Sequence, residues 1–172
     1  MNAIMFLSIR AAHVLVAGLW IGSTVFGAAW LMPAIDAAGP SGGQVMKRIV
    51  QNGYSTYMSA IGLTTLLTGL YLLWRFTGGF DPSVAATHAG IVFGTGGVAG
   101  ILAGAIGGAV VGRSAKELSA LGALLSRPIE DPARGSCVQH AAMLRRRMKI
   151  GTQAVIALQC IALMSMAVGH YV

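Results

Sequence analysis

Hydrophobic residues dominate four long stretches of the chain, and most of the charged residues lie between them. None of the four stretches contains Asp, Glu, Lys or Arg, and each exceeds the roughly 20 residues with which an α-helix crosses about 30 Å of hydrocarbon. A chain of 172 residues with 55% hydrophobic and 10% charged residues has too little polar surface to cover so large an apolar core in water. The pattern predicts an all-α integral membrane protein, a four-transmembrane-helix bundle that forms a single membrane domain over residues 1–172. The predicted spans are residues 11–32, 54–74, 88–112 and 150–171.

The basic residues are divided unequally between the two sides of the predicted membrane. Of the 12 Lys and Arg residues, ten fall between the first and second or the third and fourth spans, whereas Arg10 and Arg75 belong to the other side. The positive-inside rule places the crowded side in the cytoplasm, with a cytoplasmic loop over residues 113–149, and places both chain termini in the periplasm or outside the cell. The basic run at 145–149 has no interleaved aromatic residues for base stacking, so the net charge of +7 indicates topology and predicts no nucleic-acid partner.

Three of the four histidines lie near ends of the predicted spans, in different thirds of the sequence. The number of crossings between them places His13, His88 and His170 at the same face of the membrane, whereas His140 belongs to the cytoplasmic segment as a surface residue. Neutral imidazole is a common protein ligand of haem iron and of copper. The three histidines therefore predict a cofactor site at the periplasmic face. The alternative interpretation is that each is an interfacial residue hydrogen-bonded to water or to a lipid headgroup.

Other side chains are predicted to belong to the same site. Trp20 follows the first of these histidines on one helix face, and Met166 precedes the last by one turn and adds a thioether near the same level. The two basic residues of this side are candidates for charge-assisted hydrogen bonds with haem propionates; otherwise they extend to the lipid headgroups. The predicted cofactor-binding residues are His13, His170, His88, Arg10, Arg75 and Trp20, and the predicted metal ligands are His13, His170 and Met166.

Small residues indicate how the helices pack. In the third span glycine recurs every fourth residue from Gly96 to Gly112, and the first span contains Gly18 and Gly22. Such ladders let helix backbones approach closely in lipid. The alternative interpretation is that the ladder forms a smooth wall against which a flat macrocycle lies. The second span carries a polar stripe at helical spacing that should face the bundle interior, formed by Tyr57, Thr64, Thr68, Tyr71 and Arg75.

The segment after the third span also has helical features. Ser114 and Glu117 have the spacing of a capping box, and leucines follow at helical spacing. This pattern predicts either a short amphipathic helix on the cytoplasmic surface or a continuation of the third span. A second helical stretch from about Ser136 is predicted to continue into the fourth span.

No motif for hydrolytic chemistry is present. All five acidic residues lie outside the predicted spans, which leaves no carboxylate inside the membrane to act as a general base. Cys137 and Cys160 lie at different predicted depths and outside any CxxC pattern, so both are predicted to be free thiols.

Residues 10–26 read RAAHVLVAGLWIGSTVF, in which His13 is followed seven residues later by Trp20 and then by Gly22 and Phe26. This order resembles the first helix of the CopD and HemJ group of small bacterial membrane proteins. The likeness covers these 17 residues; elsewhere it rests on the four-span layout and on a His near the start of the third span. It implies a multi-pass protein of the bacterial inner membrane, with haem b bound through helix histidines in HemJ-like members and copper handling in CopD-like ones. It also implies His13 as the ligand, and it leaves a haem-dependent oxidoreductase activity of the HemJ type open.

The sequence leaves three functions open. The first is a haem b protein that works in electron transfer or redox chemistry, with a redox partner in or at the lipid bilayer. The second is a copper transport or resistance protein of the CopD type, in which Met5, Met164 and Met166 supplement the histidines, because thioethers suit Cu(I). The third is a structural subunit of a membrane complex or a homo-oligomer, with the glycine ladder as its docking face.

Overall fold

The computed structural model describes residues 3–122 and 132–172, and nearly all of these are helical. Within that part of the chain, four helices are long and apolar enough to cross a membrane, so the predicted all-α, four-helix, multi-pass membrane fold is confirmed. These helices are span 1 (Ala3–Ala37), span 2 (Tyr54–Phe76), span 3 (His88–Ala120) and span 4 (Gly135–Val168). The individual helical elements are α1 (Ala3–Phe26), α2 (Met32–Ala37), α3 (Pro40–Gln51), α4 (Tyr54–Phe76), α5 (Pro82–Ala85), α6 (His88–Ile106), α7 (Arg113–Ala120) and α8 (Pro132–Val168), with π-helical turns at Gly27–Leu31 and Gly107–Gly112.

Several helices extend beyond the apolar stretches that predicted them. Span 1 begins eight residues before position 11, and α8 begins 18 residues before position 150. The segment 113–149, predicted as a cytoplasmic connection with helical stretches after Ser114 and from about Ser136, is helical in both of its described parts. Hydrophobicity set the predicted limits, whereas a helix continues into polar sequence wherever its backbone hydrogen bonds can still form.

The extensions of spans 3 and 4 pack against each other. Helix α7 contacts α8, and Ser114 on α7 is buried, as are Ala141 and Leu144 on α8. Near them, Nε2 of His140 lies 3.9 Å from Oε2 of Glu117. Because span 3 runs through Ser114 without a break, the continuation of that span is the alternative observed, and no separate surface helix begins there.

One residue from each span forms the centre of the bundle. Trp20, Ile61, Ala103 and Val155 are buried together. The indole of Trp20 lies against Gly62, where an added Cβ would be 3.4 Å from Cε2. Span 3 packs along span 4 and span 1 packs along span 2, whereas spans 1 and 4 meet over only a short stretch. The seam between spans 1 and 4 is therefore the weakest of these boundaries.

The glycine ladder of span 3 serves close packing along only part of its length. A Cβ added at Gly96 would lie 2.9 Å from Cβ of Ser165, and one added at Gly104 would lie 2.8 Å from Cδ1 of Leu66. A Cβ added at Gly108 would have no neighbour within 4 Å. The ladder thus faces span 4 and span 2 in its first half and open surroundings further along.

The π-helical turns lie in spans 1 and 3, toward the ends opposite the termini of the chain. In span 1 the turn Gly27–Leu31 comes just before Pro33. A proline ring clashes with the carbonyl four residues earlier in a regular α-helix, and a widened turn relieves this clash. Span 1 therefore continues to Ala37 in spite of the proline.

A compact turn connects spans 2 and 3. The buried Thr77 hydroxyl accepts a hydrogen bond of 2.9 Å from the backbone N–H of Phe80, and the glycines at 78–79 adopt positive φ. Asp81 then caps α5. The hydroxyl and the backbone N–H of Ser83 donate to its carboxylate and hold the pKa of Asp81 below the ordinary value, so this residue is ionised at neutral pH.

Candidate cofactor site

A cavity of about 160 Å³ lies between the spans near the two termini of the chain. Residues from span 1, span 2, span 3 and the end of span 4 contribute to it. Four of the residues predicted for a cofactor site line this one cavity, and the other lining residues are hydrophobic or glycine. The lining consists of Phe6, Arg10, His13, Val14, Gly69, Leu72, Leu73, Phe76, Phe93, Met166 and His170.

The hydrogen bonds around His13 determine which of its ring nitrogens carries the proton. Nδ1 of His13 lies 2.9 Å from Oγ1 of Thr68. That hydroxyl donates its single proton to the backbone, with the carbonyl of Thr64 at 2.6 Å and that of Thr65 at 3.2 Å. Thr68 can therefore only accept from His13, so Nδ1 carries the hydrogen. With the hydrogen on Nδ1, Nε2 is the ring nitrogen of the neutral imidazole that keeps its lone pair.

This arrangement is the one that metal-binding histidines adopt. A ligating histidine usually donates its second ring N–H to a fixed acceptor, which sets the tautomer and the orientation of the ring. Here Thr68 is the acceptor, and its own hydroxyl is held by the α4 backbone. Of the polar stripe predicted to face the bundle interior, Thr68 does so here, whereas Tyr57, Thr64 and Arg75 are exposed. In this tautomer Nε2 is the nitrogen of His13 that could act as a metal ligand.

A glycine on span 2 makes room for this histidine. A Cβ added at Gly69 would lie 2.8 Å from Cε1 of His13, a distance at which the ring has to shift. Gly69 also lines the cavity, whereas none of the ladder glycines of span 3 does. The glycine next to the candidate site is therefore on span 2, and no sequence pattern distinguished it from the other 23 glycines of the chain.

His170 approaches the same cavity from the end of span 4. Its Nε2 lies 2.6 Å from Nη2 of Arg10, across the seam between spans 1 and 4. A guanidinium group has only donors, so Nε2 accepts and His170 is a neutral imidazole with its hydrogen on Nδ1. The Phe93 ring packs edge-on against the imidazole at 5.1 Å between centroids. Gly169 permits this contact, because a Cβ there would lie 2.7 Å from Cε1 of Phe93.

The remaining residues predicted for the site lie elsewhere. His88 is the first residue of α6, is exposed and does not line the cavity. Arg75 is exposed near the end of span 2 and is also outside the lining. Trp20 belongs to the bundle core, about 10 Å along the helix from His13 at 1.5 Å per residue. Met5 and Met164 are exposed.

The bundle also contains a buried polar contact between spans 1 and 4. Nε2 of Gln159 lies 3.5 Å from Oγ1 of Thr24, and both residues are buried. Oε1 of Gln159 has no hydrogen-bond partner among the described residues. Neither residue lines the cavity. The contact ties the two spans together at a level away from the candidate site.

Comparison with known proteins finds no matching family model, no similar curated protein and no similar solved structure. The assignment of a function therefore rests on the geometry of the cavity and on the resemblance of residues 10–26.

Proposed function

We propose that this protein binds haem b near the periplasmic face of the bacterial inner membrane and works in electron transfer or redox chemistry. The observation that carries the proposal is the state of His13, whose Nδ1 is held by Thr68 while Nε2 retains a free lone pair at the border of an apolar cavity. Helix histidines of this kind are common haem ligands. The resemblance to the CopD and HemJ group supports the same residue.

The composition of the cavity suits a porphyrin better than a bare metal cation. Most of the lining side chains are aliphatic or aromatic and provide apolar walls for a macrocycle. The cationic side chain of Arg10 repels a metal cation, whereas it complements the carboxylates of a haem. His13 and Arg10 thus match the two chemically different parts of haem b, its iron and its propionates.

The volume of the cavity sets a condition on the proposal. At about 160 Å³ it is smaller than typical ligand sites, which occupy roughly 300–1,000 Å³. A macrocycle therefore requires the spans to move apart. The short contact between spans 1 and 4 makes their seam the boundary at which separation disrupts the least packing.

Copper is the second candidate, and the small volume of the cavity favours it. The imidazoles of His13 and His170 and the thioether of Met166 line the same space. This donor set suits copper, and a single ion fits without movement of the spans. Under this alternative the chain is a copper transport or resistance protein of the CopD type.

The absorption spectrum and metal content of the detergent-solubilised protein separate these candidates. The haem proposal requires a Soret band and about one iron atom per chain, because His13 and His170 line the same cavity. Copper without a Soret band supports the second candidate. A preparation that contains neither and cannot be loaded with either contradicts both, and it supports a structural subunit.

The residues of the chain would have separate roles around the cofactor. Bound haem b supplies one-electron redox chemistry. His13 would hold the iron, with its ring fixed by Thr68. The apolar side chains would exclude water, and Arg10 would neutralise a carboxylate. Electrons would pass to a separate redox partner or to a second copy of the chain at the periplasmic face. An oxidoreductase activity of the HemJ type would use the same site.

Thr68→Val should weaken haem binding without unfolding the bundle. Valine has a similar shape but offers no acceptor to Nδ1 of His13, and loss of such an orienting partner typically costs about 10- to 100-fold in affinity. Haem titration of the apoprotein would measure this change. Thr68→Ser keeps the hydroxyl and should bind as the wild type does. Equal affinities for the Val and Ser variants would contradict the role of Thr68.

Reporter fusions should place both termini in the periplasm. Ten basic residues share one predicted side of the membrane, among them the exposed Arg145, Arg146 and Arg147, and the positive-inside rule predicts that this side is cytoplasmic. One of the ten, Arg127, lies outside the described part of the chain. A reporter that is active only in the periplasm should be active after Val172 and inactive after Gly122. The reverse result would mean that the topology is inverted and that the site lies at the cytoplasmic face.

A further inference from the structure

Arg10 and His170 form a pair that competes with both of the functions proposed for these residues. The hydrogen bond from Nη2 of Arg10 occupies the Nε2 lone pair of His170, which is the lone pair that iron would need. It also uses Nη2 of Arg10, one of the donors that a bidentate carboxylate would need. The pair and a haem-bound arrangement therefore exclude each other at His170, and at Arg10 they compete for the same donor.

The two acceptors available to Arg10 differ in strength. In the structure its partner is a neutral imidazole. A carboxylate is a stronger acceptor, because the hydrogen bond is then charge-assisted on both sides and is frequently bidentate. Arg10 and His170 are both exposed where they meet, so an incoming carboxylate reaches the guanidinium group without first opening a buried contact.

His13 and His170 also differ in whether Nε2 has a lone pair available for a metal. Thr68 holds His13 in the tautomer whose Nε2 keeps its lone pair. His170 becomes free only when Arg10 leaves it. Its imidazole already borders the same cavity, next to the Phe93 ring.

We infer that Arg10 is a positioning residue that couples recognition of a porphyrin carboxylate to release of His170 as a second iron ligand. The inference rests on the proposed haem function and deepens it. His13 would hold the iron, the carboxylate would draw Arg10 away from His170, and the freed Nε2 of His170 would then serve as the second ligand. A porphyrin without free carboxylates leaves Arg10 on His170 and is held through His13 alone. Arg10 thereby selects porphyrins that carry free acid groups.

The test compares two iron porphyrins on the full-length protein: haem b and its dimethyl ester. With the wild type, haem b should give a six-coordinate, low-spin spectrum, and the ester should give a five-coordinate, high-spin one. Arg10→Gln removes the cation and should give a low-spin spectrum with both porphyrins. Its affinity for haem b should fall roughly 10- to 100-fold, as expected for the loss of a charge-assisted hydrogen bond.

The double variant Arg10→Gln/His170→Ala shows whether His170 is the residue released. It should be high-spin with both porphyrins, and a low-spin spectrum would assign the second ligand to another residue and overturn the inference. Identical spin states for haem b and the ester in the wild type would also overturn it, although the haem function would stand. Absence of a Soret band with either porphyrin would overturn the proposed function and this inference together.

Discussion

His13→Ala protein should purify without haem b. The substitution removes the imidazole whose Nε2 is free and whose orientation is fixed by Thr68. Loss of an orienting partner alone costs about 10- to 100-fold in affinity, so loss of the ligand itself should exceed about 100-fold. The Soret band and the iron content of the purified variant would measure the effect. Size-exclusion chromatography should give an unchanged profile, because His13 is only half-buried and leaves a small space next to Gly69.

Two other histidines provide matched controls for this variant. His140 lies on α8 and faces Glu117 of α7, and His88 is the first residue of α6 and is exposed. His140→Ala and His88→Ala should both keep a wild-type spectrum. A normal six-coordinate spectrum in His13→Ala would refute the central proposal, and the copper or structural function would replace it.

His170→Ala should behave differently from His13→Ala. In the proposed order of binding His170 is the second ligand, so its loss leaves haem bound through His13 with a five-coordinate spectrum. The contrast between no haem and five-coordinate haem separates the preformed ligand from the released one. The contrast follows from the hydrogen bonds of the two imidazoles: His13 donates to Thr68, whereas His170 accepts from Arg10.

The number and order of the spans could be predicted from charge-free stretches, because hydrocarbon excludes ionised side chains wherever a helix crosses it. The helix ends could not be predicted in this way. Helix α7 and the first half of α8 are polar and rich in basic residues, so only the capping-box spacing at Ser114 and the helical stretch from about Ser136 indicated helix there; the two helices contact each other. The prediction that Gly18 and Gly22 lie in a close helix contact was wrong, since an added Cβ at either position would have no neighbour within 4 Å.

Counting the crossings was sufficient to bring two distant histidines to one cavity, because each crossing reverses the direction of the chain. Counting crossings could not predict that Arg10 lines the cavity and Arg75 does not, because both residues belong to the same predicted side of the membrane. It also placed His88 in the site, whereas this residue lies outside the cavity lining. Depth along a helix follows from hydropathy, but rotation about the helix axis depends on packing at positions such as Gly69.

The aromatic lining of the cavity carried no sequence signal. Phe6, Phe76 and Phe93 lie near the ends of their spans, where aromatic residues are frequent in any membrane protein. Their meeting follows from helix rotation and from Gly169, which allows Phe93 to approach the end of span 4. Phe76 and Phe93 then pack edge to face at 5.0 Å between centroids.

Gly96→Leu should prevent stable assembly of spans 3 and 4. A Cβ alone would lie 2.9 Å from Cβ of Ser165 and 3.4 Å from the carbonyl oxygen of Ala162, and the backbone of span 4 cannot yield as a flexible side chain does. Overpacking of a tight contact costs about 1–3 kcal/mol for a few methylenes, and a complete leucine side chain should reach or exceed the top of that range. Thermal unfolding in detergent and the yield of monodisperse protein would measure the loss.

Gly108→Leu supplies the control from the same ladder, three turns further along span 3. An added Cβ there has no neighbour within 4 Å, so this variant should stay within about 0.5 kcal/mol of the wild type. A milder pair tests the contact itself: Gly96→Ala should destabilise the bundle, and Ser165→Gly in the same chain should restore stability by removing the atom that the new Cβ meets. If Gly96→Leu and Gly108→Leu unfold at the same temperature, the ladder does not pack against span 4. The seam between spans 3 and 4 would then have to be held by other residues, and the glycines would be free to face lipid or a second protein.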